Sequence, residues 1–415
     1  MSRPVRMPVV VSWLFASIVT LLLTACGGSE TPSKTTAQTS PPAVQTKIEF
    51  LERWDVDRLN RILKTDTPQQ FGVHTTYTPA RNAVNLYRVT YASVIPNMGN
   101  KPTVASGLLA IPDNAATTHT LPMVSYQHGT VYGRQQVPSF PDQSLETQLM
   151  IAQFAGQGYV LIGADYFGLG TSTEPEGYMV KASHQQATYD MLMASRNVLK
   201  QKNISTNKLF LAGWSQGGFV SMSLLQKLDV MGVKVDATAT ASAPLDLYAL
   251  VSGALYTPQA HPAVWLNSIF ILAAFSFENY YDSPDLARSV IADKYYTMSK
   301  AAYDRTPYTG AIPTDLHILL RPEMYDPQAL KASAFGKLLS QTEAYKWDYR
   351  SAVRNYYGDA DEAVPVDDAR MAMTYAVQKG DSMVKAISTG ETDHRGTFAT
   401  AVPEWKSWFD GLSKQ

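Results

Sequence analysis

From Pro122 onward the chain alternates short β-branched or apolar runs with longer amphipathic stretches, and this rhythm restricts the fold more than any other feature. The runs are "PMVSYQHG", "YVLIGADY", "KLFLAG", "VDATATASAP", "RNYYGD" and "VKAIST". Helix-period segments separate several of them, including "SLETQLMIAQFAGQ", "SHQQATYDMLMASRNVLKQK" and "QGGFVSMSLLQKL". A strand followed by a helix returns to the sheet in parallel, so the pattern predicts an α/β protein with a mostly parallel central sheet and helices on both faces. In such sheets ligands gather at the carboxyl ends of the strands.

Upstream, "AVNLYRVTYASVI" and "TVASGLLAIP" flank a turn containing Pro96, Asn97 and Gly99 and read as an antiparallel opening pair. In "IEFLERWDVDRLNRILK", Ile48, Leu51, Leu59, Ile62 and Leu63 fall at near-helical spacing, which predicts an amphipathic helix from Ile48. The rhythm stops between Leu245 and about Trp347. That stretch reads as helices and loops, a helical cap inserted into the sheet over residues 247–347, between core segments 48–246 and 348–415. Within it "VWLNSIFILAAF" is too short for a membrane span. Trp265, Phe270, Phe275 and Phe277 are its candidates to line a pocket.

With 415 residues, 45% hydrophobic and 17% charged, the chain can bury a sizeable core and enclose such a pocket. Its 35 basic and 36 acidic residues nearly cancel, and no long basic run stands in the body, which argues against nucleic acid as a partner.

Chemistry concentrates in "LFLAGWSQGGF". Gly213-Trp214-Ser215-Gln216-Gly217 has the G-x-S-x-G pattern of a nucleophile elbow, and a bare match of this kind is weak. The setting strengthens it: a strand run precedes the serine, and Val220, Leu224 and Leu228 follow at helix spacing. A serine hydroxyl needs a neighbouring base, and the base needs an orienting group. Further on, "NYYGDADEAVP" presents Asp359, Asp361 and Glu362 after a strand.

Together these stretches resemble the α/β-hydrolase superfamily, and within it esterases and lipases, from about Ala83 to Phe409. The resemblance implies that acid and histidine follow the serine in that order. His261, His317 and His394 remain, the first two within the cap; His394, in "STGETDHRGT" after the last strand run, is the candidate base. The superfamily's G-x-x-D-x-x-V-P stretch matches Gly358, Asp361, Val364 and Pro365, which favours Asp361 as the acid, with Asp359 as the alternative. Oxyanion donors would be the backbone N–H groups of Gln216 and, from "SYQHGTVYG", Thr130. His128 would brace that loop, and Asp165, Gly168 and Gly170 of "DYFGLGTS" would shape the next.

The N-terminus carries Arg3 and Arg6, an apolar run and then "LTACGG", which resembles the lipobox of bacterial lipoproteins. That implies a signal peptide over residues 1–25 and a lipidated Cys26, the only cysteine in the chain. Multiple acylation would anchor the protein stably to a membrane. Residues 26–47, small, polar and proline-bearing, would form a disordered tether. The residue after Cys26 is not aspartate, which in a cell with an outer membrane resembles lipoproteins sorted outward.

The sequence shows no H-E-x-x-H pattern, no P-loop and no G-x-G-x-x-G after a strand. The expected activity is cofactor-free hydrolysis of a small-molecule ester or lipid. A peptidase on the same scaffold is one alternative. A hydrolase-fold binding protein is another.

Overall fold

The computed structural model describes residues 46–118 and 120–414. The signal peptide, Cys26 and nearly all of the tether lie outside the described residues. The strand runs join into one nine-stranded sheet in the order β1-β2-β3-β5-β4-β6-β7-β8-β9. Its members are β1 (Lys47–Trp54), β2 (Val84–Ile95), β3 (Lys101–Pro112), β4 (Thr120–Gln127), β5 (Val160–Ala164), β6 (Ser205–Trp214), β7 (Ala237–Ala241), β8 (Ala352–Tyr357) and β9 (Val384–Ser388). The pairs β1·β2, β2·β3 and β3·β5 are antiparallel, and every pairing from β5·β4 to β8·β9 is parallel.

Both faces of the sheet are covered, and the alternation along β6 shows how. Leu209 and Leu211 enter one core with the helices Lys181–Gln201 and Gln216–Val230. Phe210 and Ala212 enter the other, packed under Leu145–Gln153 and His394–Ser413. A strand buried on both sides reads as a continuous apolar run, which is why "LFLAG" carries no polar alternation.

The helix expected from Ile48 is a correction. Residues Lys47–Trp54 are an edge strand, and the helix starts only at Val56, capped by Asp55, whose Oδ1 accepts the Arg58 N–H at 2.7 Å. Ile48 packs against the core that holds Leu209 and Leu211, and Leu51 against the one that holds Phe210, so two apolar residues three apart serve opposite faces of a strand rather than one face of a helix. A β-bulge interrupts the strand at Leu51: Phe50 pairs with Tyr87 and Glu52 with Leu86, leaving Leu51 as the extra residue.

Between β7 and β8 the described chain forms helices from Leu247 to Gln341 and only isolated bridges, Asp246 to Glu343 and Ile291 to Leu320. Among the described residues no helix is long and apolar enough to cross a membrane. The apolar helix Leu266–Tyr280 is instead buried, sharing one continuous core with the sheet face that holds Leu209 and Leu211.

Candidate active site

Ser215 stands between β6 and the helix Gln216–Val230 with φ 56° and ψ −124°, a conformation costly for any residue with a side chain. Its N–H donates to the Ala241 carbonyl at 2.9 Å and its own carbonyl accepts from the Gly218 N–H at 2.8 Å, so neighbours on both sides hold the strained turn. The flanking glycines are required by space. A Cβ on Gly213 would collide with the Gly217 carbonyl, and one on Gly217 with the Gln127 carbonyl.

The loop after β9 delivers His394 as the first residue of the helix His394–Ser413. Its Nε2 lies 2.9 Å from Ser215 Oγ, and its Nδ1 lies 3.0 and 3.1 Å from the two oxygens of Asp361. With the proton on Nδ1, His394 donates to Asp361 and accepts from the serine hydroxyl. Asp361 Oδ1 also accepts the Ala363 and Val364 N–H groups, each at 2.9 Å. All three residues are buried.

Burial works to raise the Asp361 carboxyl, but the imidazole charge and its hydrogen bonds outweigh it and hold the group below the usual carboxylate value. Burial likewise pulls His394 down, while the charge of Asp361 and its hydrogen bond, helped by Glu362 and Asp393, lift it above an ordinary imidazole. Glu362 has a second part here: its Oε2 accepts the His394 backbone N–H at 2.9 Å. Asp359 is elsewhere, exposed, with Oδ2 accepting from Ser388 Oγ at 2.6 Å.

Two residues essential to this geometry were not legible as such. Trp214, the variable position of the elbow, donates its indole N–H to the His394 carbonyl at 3.1 Å. Its ring stacks on Phe398 at 5.0 Å and lies 5.2 Å from the imidazole. Glu146, in the first turn of Leu145–Gln153, is buried behind the loop after β4, where its Oε1 accepts the Gly129 N–H at 2.8 Å and the Tyr126 hydroxyl. Burial pushes this carboxyl up to about 7. No local pattern distinguishes such a glutamate from any other at a helix start.

His128 makes no contact with the serine. Its ring stacks on Tyr166 at 4.1 Å and its nitrogens face the carbonyls of Gly129 (2.8 Å) and Asp165 (3.2 Å); burial pushes it down to about 4. Asp165 accepts from Ser106 Oγ at 2.6 Å and from the Ser139 N–H at 2.9 Å, and a Cβ on Gly170 would collide with it. Gln216 opens its helix, so its N–H has no intrahelical partner.

A cavity of about 210 Å³ opens onto Ser215 and His394, lined also by Thr130, Tyr132, Trp214, Trp265 and Arg395. Of the aromatic candidates in the insertion, Trp265 reaches it, with its ring 5.5 Å from that of His394. Phe270, Phe275 and Phe277 are a correction. They are fully buried away from the cavity, Phe275 against Tyr296 and Tyr303, Phe277 against Tyr281 and Phe335. Trp265 precedes the first turn of Leu266–Tyr280, and the later turns carry their side chains into the interior. Among the described residues no group of three or more His, Cys, Asp or Glu side chains is placed to hold a metal ion.

The mostly parallel sheet, the strained serine at the end of β6 and the helical insertion after β7 define the α/β-hydrolase fold. Solved structures share it. A Legionella pneumophila protein assigned as a hydrolase superposes with a TM-score of 0.78 at 22% identity, over 89% of this chain and 98% of its own. The rice cell wall degrading esterase LipA from Xanthomonas oryzae gives 0.72 at 21%, over 89% and 97%. Candida antarctica lipase A gives 0.58 at 14%, over 83% and 77%. No family model and no curated protein sequence matches the chain. At these identities the likeness is one of fold.

Proposed function

We propose that the protein is a serine hydrolase that cleaves carboxylic esters with an apolar part. One observation carries the reading: Ser215 Oγ, His394 and Asp361 form an unbroken hydrogen-bonded series at the floor of a cavity. Ser215 Oγ attacks the ester carbonyl while His394 Nε2 takes its proton. The tetrahedral intermediate collapses to an acyl-enzyme, and the same proton leaves with the alcohol. Water then attacks the acyl carbon while giving a proton to His394; the acyl–Oγ bond breaks, His394 returns that proton to Ser215 Oγ, and the acid is released. The N–H groups of Gln216 and Thr130 are the proposed oxyanion donors, a contribution of about 2.7 to 4 kcal/mol for one such donor. The hydrolysis needs no cofactor.

The walls of Trp214, Trp265 and Tyr132 suit an apolar substituent. That the similar structures include an esterase and a lipase supports ester over peptide. The reading places the enzyme on the bacterial envelope through acylated Cys26, at the outer membrane in a cell that has one, on sequence grounds. A fluorophosphonate probe should label the wild type and not Ser215→Ala; an unlabelled wild type would refute the hydrolase. Cys26→Ser should move the protein out of the membrane fraction and abolish palmitate incorporation.

A further inference from the structure

The insertion is fastened to the core on both sides of the cavity. On the side of the loop after β4, Tyr132 OH lies 2.9 Å from Ser268 Oγ, and Arg305 donates to the Tyr132 carbonyl at 3.1 Å and the Val131 carbonyl at 3.4 Å. The same guanidinium pairs with Glu176 at 2.6 Å, with the carboxylate side chain 2% exposed. Around that carboxylate Ser276 Oγ accepts the Tyr178 N–H at 2.9 Å and donates to the Glu176 carbonyl at 2.8 Å. Tyr303 OH donates to that carbonyl at 2.6 Å, and Tyr280 OH to the Pro175 carbonyl at 2.8 Å. On the side of the acid loop, the Ala263 N–H donates to the Glu362 carbonyl at 3.0 Å. This last bond pins the stretch 257–264, whose residues other than Gln259 and Ala263 are exposed.

Segments that move have few buried apolar contacts. Here Phe275, Phe277 and Leu286 of the insertion are buried in the same apolar core as Leu209 and Leu211 of β6, so lifting the helix Leu266–Tyr280 would expose that core. The cavity beneath, at about 210 Å³, is also smaller than the roughly 300–1,000 Å³ typical of sites for drug-sized ligands.

We infer that the roof does not lift, and that the substrate is a short-acyl ester taken up as a dissolved monomer rather than a long-chain ester drawn from a lipid surface. This rests on Ser215 being an ester-cleaving nucleophile. The test uses the full-length chain in its membrane fraction, with Ser215→Ala membranes as background. Initial rates on tributyrin should rise hyperbolically and pass its solubility limit without a break. In a p-nitrophenyl ester series, kcat/KM should peak at acyl groups of about two to four carbons and fall at least about tenfold by ten. A sharp rise at the solubility limit, or an optimum at eight carbons or more, would overturn the inference while leaving the esterase intact. Labelling by a fluorophosphonate with no ester cleaved would instead remove the reading beneath it. Arg305→Gln combined with Ser268→Ala should raise the decanoate-to-butyrate ratio of kcat/KM about fivefold; an unchanged ratio in a folded variant counts against the fastening. The wild-type kinetics decide the matter if that variant does not fold.

Discussion

Ser215, Asp361 and His394 stand just beyond the carboxyl ends of β6, β8 and β9, while Trp265, at the start of a helix of the insertion, reaches the same cavity, and Ser268 in that helix bonds to Tyr132 of its wall. Each bond that sets the first wall uses a main-chain N–H: that of Ser215 to the Ala241 carbonyl, those of Ala363 and Val364 to the Asp361 carboxylate, and that of His394 to the Glu362 carboxylate. The second is held by side chains from scattered positions, such as Tyr132 with Ser268 and Arg305 with Glu176. Atoms that react must be fixed to fractions of an ångström, and a sheet edge does this where several backbones converge. An enclosure has only to exclude and select. Changes in the first wall should therefore reach kcat, and changes in the second should reach KM and chain-length preference.

The largest test of that division is Ser215→Ala, which should lower ester turnover by a factor on the order of a million if the three groups act as a unit. Next, Asp361→Asn should cost about 10⁴ in kcat. Asp359→Asn, outside the hydrogen-bonded series, should stay near wild type. The pair also has a pH signature. His394 must be neutral to accept the serine proton, and Asp361 holds it above an ordinary imidazole. Activity should thus fall as pH drops through a midpoint above about 6.5, and Asp361→Asn should move that midpoint down. A larger loss at Asp359 would reverse the assignment.

Trp214→Phe keeps an aromatic ring against Phe398 but removes the bond to the His394 carbonyl. A decrease of about tenfold in kcat with little change in KM is expected, read by steady-state kinetics. The smallest effect should come from the roof: Trp265→Ala should raise KM by about three- to tenfold and leave kcat nearly unchanged. A kcat loss there as large as that of Trp214→Phe would erase the distinction between the walls.

What the chain disclosed about itself follows the same line. The eight strands from β2 to β9, the elbow and the spacing of "GDADEAVP" are local patterns, and the side chains they single out meet in space. Residues 47–54 misled because Ile48 and Leu51, three apart, are buried on opposite faces of one strand, a spacing that a single helical face also produces. Phe270, Phe275 and Phe277 misled because an aromatic, apolar composition shows that side chains are buried without showing in which interior. Trp214 was silent because its partner lies 180 residues away, and Glu146 because its partner is a backbone N–H across a loop.

The hydrogen bond between Ser215 and His394 spans 179 residues of chain, and the whole insertion lies between them. Before β8, β9 and the roof have assembled, the elbow can exist on β6 and β7 but its serine has no base. A partly folded molecule is in that sense disarmed, so the appearance of activity during refolding should coincide with the packing of Trp214 against Phe398 and mark the moment at which the final helix docks.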